Sequence, residues 1–150
     1  MCEWRVFTGG GGADKLNLAL IELKIDLIQN AIPLSEICVV GSSILTIYGI
    51  RENHDVDFVM TSKYRERFAS SGVVPFSEFV EMVSQNWARS KNRKTISDDE
   101  LIENPKYHFT YYGIKFATLP LLLERKEWQG REKDIRDVEL INGYLQSCNQ

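Results

Sequence analysis

The chain has 150 residues, with 18 Lys and Arg against 21 Asp and Glu and a formal charge of −3, a length that suits one domain of about 100–200 residues. Its 43% hydrophobic and 26% charged residues supply enough apolar surface for a core and exclude wholesale disorder. No apolar run approaches the ~20 residues of a membrane span, and a pI near 5.5 argues against a general nucleic-acid coat.

Residues 1–12 read as a flexible N-terminal segment ending in Gly9-Gly10-Gly11-Gly12, and 13–150 as one domain. The opening Met-Cys-Glu-Trp-Arg lacks the basic-then-apolar order of a secretory signal. The four glycines do not make a phosphate loop, because Lys15 is followed by Leu16 rather than Ser or Thr. From Asp14 to Asn30, Leu16, Leu20, Leu23 and Leu27 recur at spacings of four, three and four, which predicts a helix with one apolar face. Ile37 to Val40 is a β-rich run bounded by Gly41, and residues 42–49 suit a short helix capped by Ser42 or Ser43. His54 to Met60 alternates as a second strand.

Lys63 to Phe68 and Phe76 to Trp87 read as helices, separated by Ser70-Ser71-Gly72 and Pro75; residues 88–105 read as a long polar connection or flap. Tyr107 to Tyr112 and Ile114 to Thr118 form a strand pair across Gly113, and helices follow at Leu121 to Trp128 and Glu132 to Leu145. The order predicts an α/β or α+β fold with a small mixed sheet flanked by helices. Cys2, Cys38 and Cys148 are odd in number, far apart and in no metal-ligand spacing. That usage points to a reducing, cytoplasmic setting, with Cys38 a small buried hydrophobe.

Val39-Val40-Gly41-Ser42-Ser43, followed by His54-Asp55-Val56-Asp57-Phe58, carries the chemistry. Alternate strand side chains share a face, so Asp55 and Asp57 project together. Two carboxylates aimed at one point repel unless a cation neutralises them, and hard oxygen donors of this kind suit Mg²⁺ with substrate phosphates. Gly41-Ser42 leaves a strand and enters a helix, where backbone N–H groups favour a phosphate.

This arrangement resembles the DNA polymerase β-like nucleotidyltransferase superfamily: a hydrophobic strand, Gly-Ser, a short interval, then Asp-hydrophobic-Asp. A second likeness, to small bacterial nucleotidyltransferase-like proteins, lies in Tyr112-Gly113-Ile114-Lys115-Phe116, then Leu119 to Lys126, then Gly130-Arg131-Glu132-Lys133-Asp134. Together they span roughly residues 36–141. The resemblance implies the nucleotidyltransferase fold, with Asp55 and Asp57 holding Mg²⁺ on a nucleoside triphosphate and Gly41 and Ser42, with Ser43, binding its β- and γ-phosphates. The implied reaction transfers a nucleoside monophosphate from the triphosphate to a hydroxyl acceptor, small molecule or macromolecule, and releases pyrophosphate. Active members carry a third carboxylate on a later strand. Neither 107–112 nor 114–118 has one, and Glu78, Glu81, Asp98, Asp99, Glu100 and Glu103 fall in segments read as helix or loop. His108 is the base expected instead, since imidazole is the side chain suited to proton transfer near neutral pH. The alternative is a catalytically inactive member of the fold for nucleotide sensing or partner binding, related to toxin–antitoxin pairs. At this size, a second copy or a partner protein would complete the site.

Arg51 and His54 flank the carboxylate pair, and Lys63 and Arg65 follow it within reach of a triphosphate. The basic run Arg89-Ser90-Lys91-Asn92-Arg93-Lys94 beside Trp87 reads as a solvated loop, with a nucleic-acid contact as its alternative. Lys126, Arg131 and Lys133 are expected to pair with Glu127, Glu132, Asp134 or Asp137. In the resembling families the Lys–Asp pair orients the last helix.

Overall fold

A computed structural model describes residues 12–148 except 54, 72–75, 78, 79, 84 and 85. Cys2, Gly9, Gly10, Gly11, His54, Gly72, Pro75 and Glu78, named above, lie outside the described residues. The helices are α1 (Gly12–Gln29), α2 (Ser43–Ile47), α3 (Ser62–Ser71), α4 (Asp98–Glu103), α5 (Leu119–Gln129) and α6 (Glu132–Cys148). The strands are β1 (Ile37–Val40), β2 (Val56–Met60), β3 (Val80–Met82), β4 (His108–Tyr111) and β5 (Ile114–Ala117).

These strands form one mixed sheet in the order β3-β2-β1-β5-β4. β1 runs antiparallel to β2 and parallel to β5, β2 runs parallel to β3, and β4 and β5 make an antiparallel hairpin. β1 is buried along its whole length, as a strand covered on both faces requires, which is why Ile37-Cys38-Val39-Val40 carries no polar residue. α1 packs on β2, β3 and α2, and α4 packs on β1 and β2. The predicted leucine face of α1 is in the core, with Leu16 and Leu23 fully buried. Leu18, Ile21, Ile25 and Ile28 on its other side are exposed.

Two segments depart from the expectation. Phe76 to Trp87 is not a helix: it contains β3, an edge strand. Residues 88–105 are not a bare loop, since Ala88 bridges Ile96 and α4 follows, with the Ser97 side chain accepting the Glu100 N–H. Cys38 is a buried free thiol, and burial pushes its proton affinity far up. Cys148 stands in a disulfide, contrary to the reading of every cysteine as reduced. Among the described residues, no helix is long and apolar enough to cross a membrane.

Candidate active site

The β1–β2 register places Val40 opposite Asp57, so the chain leaving β1 turns beside the start of β2. Gly41 makes that turn with φ +83°, and a Cβ there would stand 3.0 Å from Asp57 Oδ2. Two requirements converge on this glycine, a left-handed backbone and close approach of a carboxylate. Gly41→Ala should therefore cost about 1–2 kcal/mol in backbone strain alone and displace Asp57, which urea unfolding and a nucleotide titration would register together.

Ser42 occupies the cap position of α2, but its side chain makes no capping bond. Its hydroxyl instead accepts from Lys126 Nζ at 3.2 Å. The bonds of the turn begin with the Ile44 N–H to the Gly41 carbonyl, which leaves the amides of Ser42 and Ser43 ahead of the helical ladder. Ser43 itself is buried, and its hydroxyl finds no partner.

Across β2, the parallel register sets Glu81 of β3 beside Asp57. Asp57 lines a cleft of about 500 Å³ together with Gly41, Ser42 and Glu81. Burial, then the charges of Glu81 and Asp55, push the Asp57 carboxyl from 3.8 up to about 6, against the opposing pull of Lys133. Asp55 is exposed just before β2 and adds to the charge on Asp57, but it does not line the cleft. Among the described residues, no group of three or more acidic, His or Cys side chains is gathered closely enough to hold a metal ion.

The same cleft is lined by Arg51, Arg125, Lys126, Arg131 and Lys133, so carboxylates and cations face one space. Most of the cations are fixed. Arg51 donates to both oxygens of Asp137, at 2.7 and 2.9 Å. Lys126, almost fully buried, reaches Asp137 at 2.8 Å and Asp134 at 3.6 Å. Arg131 donates to Asp134 at 2.7 Å. Lys133 forms no ion pair among the described residues. The expected pairing of Lys126 and Arg131 with Asp134 and Asp137 is thus found, and it ties α5 to α6. Gly130, with φ +65°, ends α5 by returning its N–H to the Lys126 carbonyl.

Five residues expected at the site do not line the cleft: Ser43, Asp55, Lys63, Arg65 and His108. His108 is half-buried on β4, the opposite sheet edge from β3, three strands or about 14 Å from β2. Its Nδ1 lies 2.9 Å from the Leu101 carbonyl. Lys63 is exposed on α3 and lies over the Tyr64 ring, and Arg65 donates to the Val83 carbonyl. The residue missed as a site member is Glu81; the Val-Glu-Met alternation at 80–82 was its only local signal. No family model, characterised protein or solved structure matches the chain.

Proposed function

We propose that the chain is a Mg²⁺-dependent nucleotidyltransferase of the DNA polymerase β-like kind, moving a nucleoside monophosphate from a nucleoside triphosphate to a hydroxyl acceptor. The observation that carries this reading is the Asp57 carboxylate, set against the Gly41 turn and flanked in register by Glu81. Glu81 supplies the later-strand carboxylate that the sequence pattern alone lacked. Asp55, Asp57 and Glu81 carry the hard oxygen donors that Mg²⁺ accepts, and they would hold the ion once drawn together around it. When bound, the ion would neutralise phosphate charge that builds up in the transfer.

The remaining work falls to the chain itself. The Gly41–Ser42 turn holds the β- and γ-phosphates through its amides. Lys126, held by Asp134 and Asp137, reaches Ser42 and steadies that turn, and with Arg51 on Asp137 it keeps a positive field behind it. Lys133, with no carboxylate pairing it among the described residues, is available to the triphosphate. The acceptor oxygen forms a bond to the α-phosphorus, the bond to the bridging oxygen breaks, and pyrophosphate departs with its electron pair. Glu81, exposed at the sheet edge, receives the proton of the acceptor hydroxyl.

Thermal unfolding of the protein with ATP, GTP, CTP or UTP, each with and without Mg²⁺, tests this reading. A nucleotide held at about a hundredfold excess over its Kd should stabilise the fold by about 2.7 kcal/mol, and only when Mg²⁺ is present. An unchanged midpoint with every nucleotide would favour the alternative, a partner-binding module that keeps the fold without the chemistry.

A further inference from the structure

Trp87, which lines the cleft, and Trp128 on α5 seat two arginines. The Arg125 guanidinium lies 5.1 Å from the Trp128 ring centre and 5.9 Å from that of Trp87, and the Arg89 guanidinium lies 5.1 Å from that of Trp128. Arg125 also donates to the Trp87 carbonyl at 2.9 Å. Trp87 is itself held in place, since Asp98 accepts the N–H groups of Asn86 and Trp87.

Among the described residues neither arginine forms an ion pair with a carboxylate, although the Asp134 charge acts on Arg125. The acids nearby are committed: Glu124 to Arg93, Asp134 to Arg131 and Lys126, Asp137 to Arg51 and Lys126. Arg125 Nε is buried with no hydrogen-bond partner among the described residues, a cost that a native fold seldom leaves unmet. Burial and the like charges of Arg89 and Arg131 weaken the hold of Arg125 on its proton. Stacked, planar and unneutralised guanidiniums are the arrangement that binds phosphate oxygens in pairs.

Direction separates this cluster from the triphosphate end. Successive helical residues project about 100° apart. Lys126 points to Ser42, while Arg125 points to Trp87, which follows β3 and its Glu81 in the chain. Arg125, Trp87 and Glu81 line the same cleft.

We propose that Arg125 and Arg89, seated on Trp128 and Trp87, form an anion subsite that holds a phosphate group carried by the hydroxyl acceptor. Its placement as an acceptor subsite rests on the nucleotidyltransferase reading above. A nucleic acid 3′ end and a small sugar phosphate share this chemistry.

The test titrates two probes into the full-length wild type, Arg125→Gln and Arg89→Gln: a ten-residue oligoadenylate with a free 3′ hydroxyl, and glycerol 3-phosphate. Tryptophan emission is followed alongside the heat, and Mg²⁺–ATP is titrated into each protein as the control. At least one probe should bind the wild type and perturb the emission. Both substitutions should weaken it about tenfold, the loss of one charge-assisted pair, with Mg²⁺–ATP binding unchanged. The probe that binds names the source of the phosphate. Probe binding unaltered in both variants overturns the subsite, as does a wild type that binds Mg²⁺–ATP and neither probe. Probe binding that depends on Arg125 in a protein indifferent to Mg²⁺–ATP keeps the subsite and rejects the nucleotidyltransferase reading. If Arg125→Gln fails to fold, Arg89→Gln decides.

Discussion

Lys126→Met should destabilise the protein by about 3–5 kcal/mol at neutral pH, the usual consequence of removing one partner from a buried ion pair. Methionine matches the stem of lysine in length, so the loss would report the ammonium group rather than a cavity. Lys126 is 6% exposed and faces Asp134 and Asp137, which are buried as well. Burial pushes both carboxyls up, but Arg131 and Lys126 on one, and Arg51 and Lys126 on the other, outweigh it and hold both below the ordinary value of 3.8. Carboxyls lowered in the folded state add stability that is present above about pH 4 and lost as the pH falls through their folded values. The difference between wild type and Lys126→Met should therefore be largest near pH 7 and shrink below about pH 4. Urea unfolding across pH measures it. A loss under about 1 kcal/mol at pH 7 would mean that Arg51 and Arg131 alone secure the α5–α6 junction.

Asp57→Asn should act in opposite senses on stability and binding. The Asp57 carboxyl is raised to about 6 in the folded chain from 3.8, so its ionised form opposes folding. The cost is fully present above about pH 6, shrinks as the pH falls from there towards the unfolded value of 3.8, and is gone only below it, where both states are protonated. Discounted for the solvent that reaches this half-buried group, the asparagine should stabilise the metal-free protein by about 1 kcal/mol at pH 8. The gain should vanish below about pH 3. Binding of Mg²⁺ with a nucleotide should be lost, because the central oxygen donor is gone. A site that gives up stability for a carboxylate is the pattern expected where charge serves a ligand.

Much of this site is legible in the sequence where local chemistry forces one answer. The unbroken apolar run 37–40 can only be a strand covered on both faces, Gly41 marks a turn that other residues resist, and Asp-Val-Asp fixes its own alternation. Lys126, Asp134 and Asp137 are legible as ion pairs; their burial is not, because it depends on how α5 closes against α2 and α6. Glu81 was hidden for a clear reason. Phe76, Val80, Val83 and Trp87 recur at spacings of four, three and four, which satisfies a helix, while a strand of three residues offers a single alternation to oppose it. Pairing with β2 decides the contest, a tertiary effect that no local window contains. His108 shows the converse. Its strand was correctly read, but no local pattern tells which sheet edge a hairpin will occupy, and β4 lies at the edge away from Asp57.

The most direct test of the account is isothermal titration of ATP, GTP, CTP and UTP into wild type and Asp57→Asn, with and without Mg²⁺. The account predicts saturable binding of at least one nucleotide to the wild type that requires Mg²⁺ and is abolished by the substitution in a protein that remains folded. Binding that survives in Asp57→Asn, or a folded wild type that takes up none of the four with Mg²⁺ present, would contradict it.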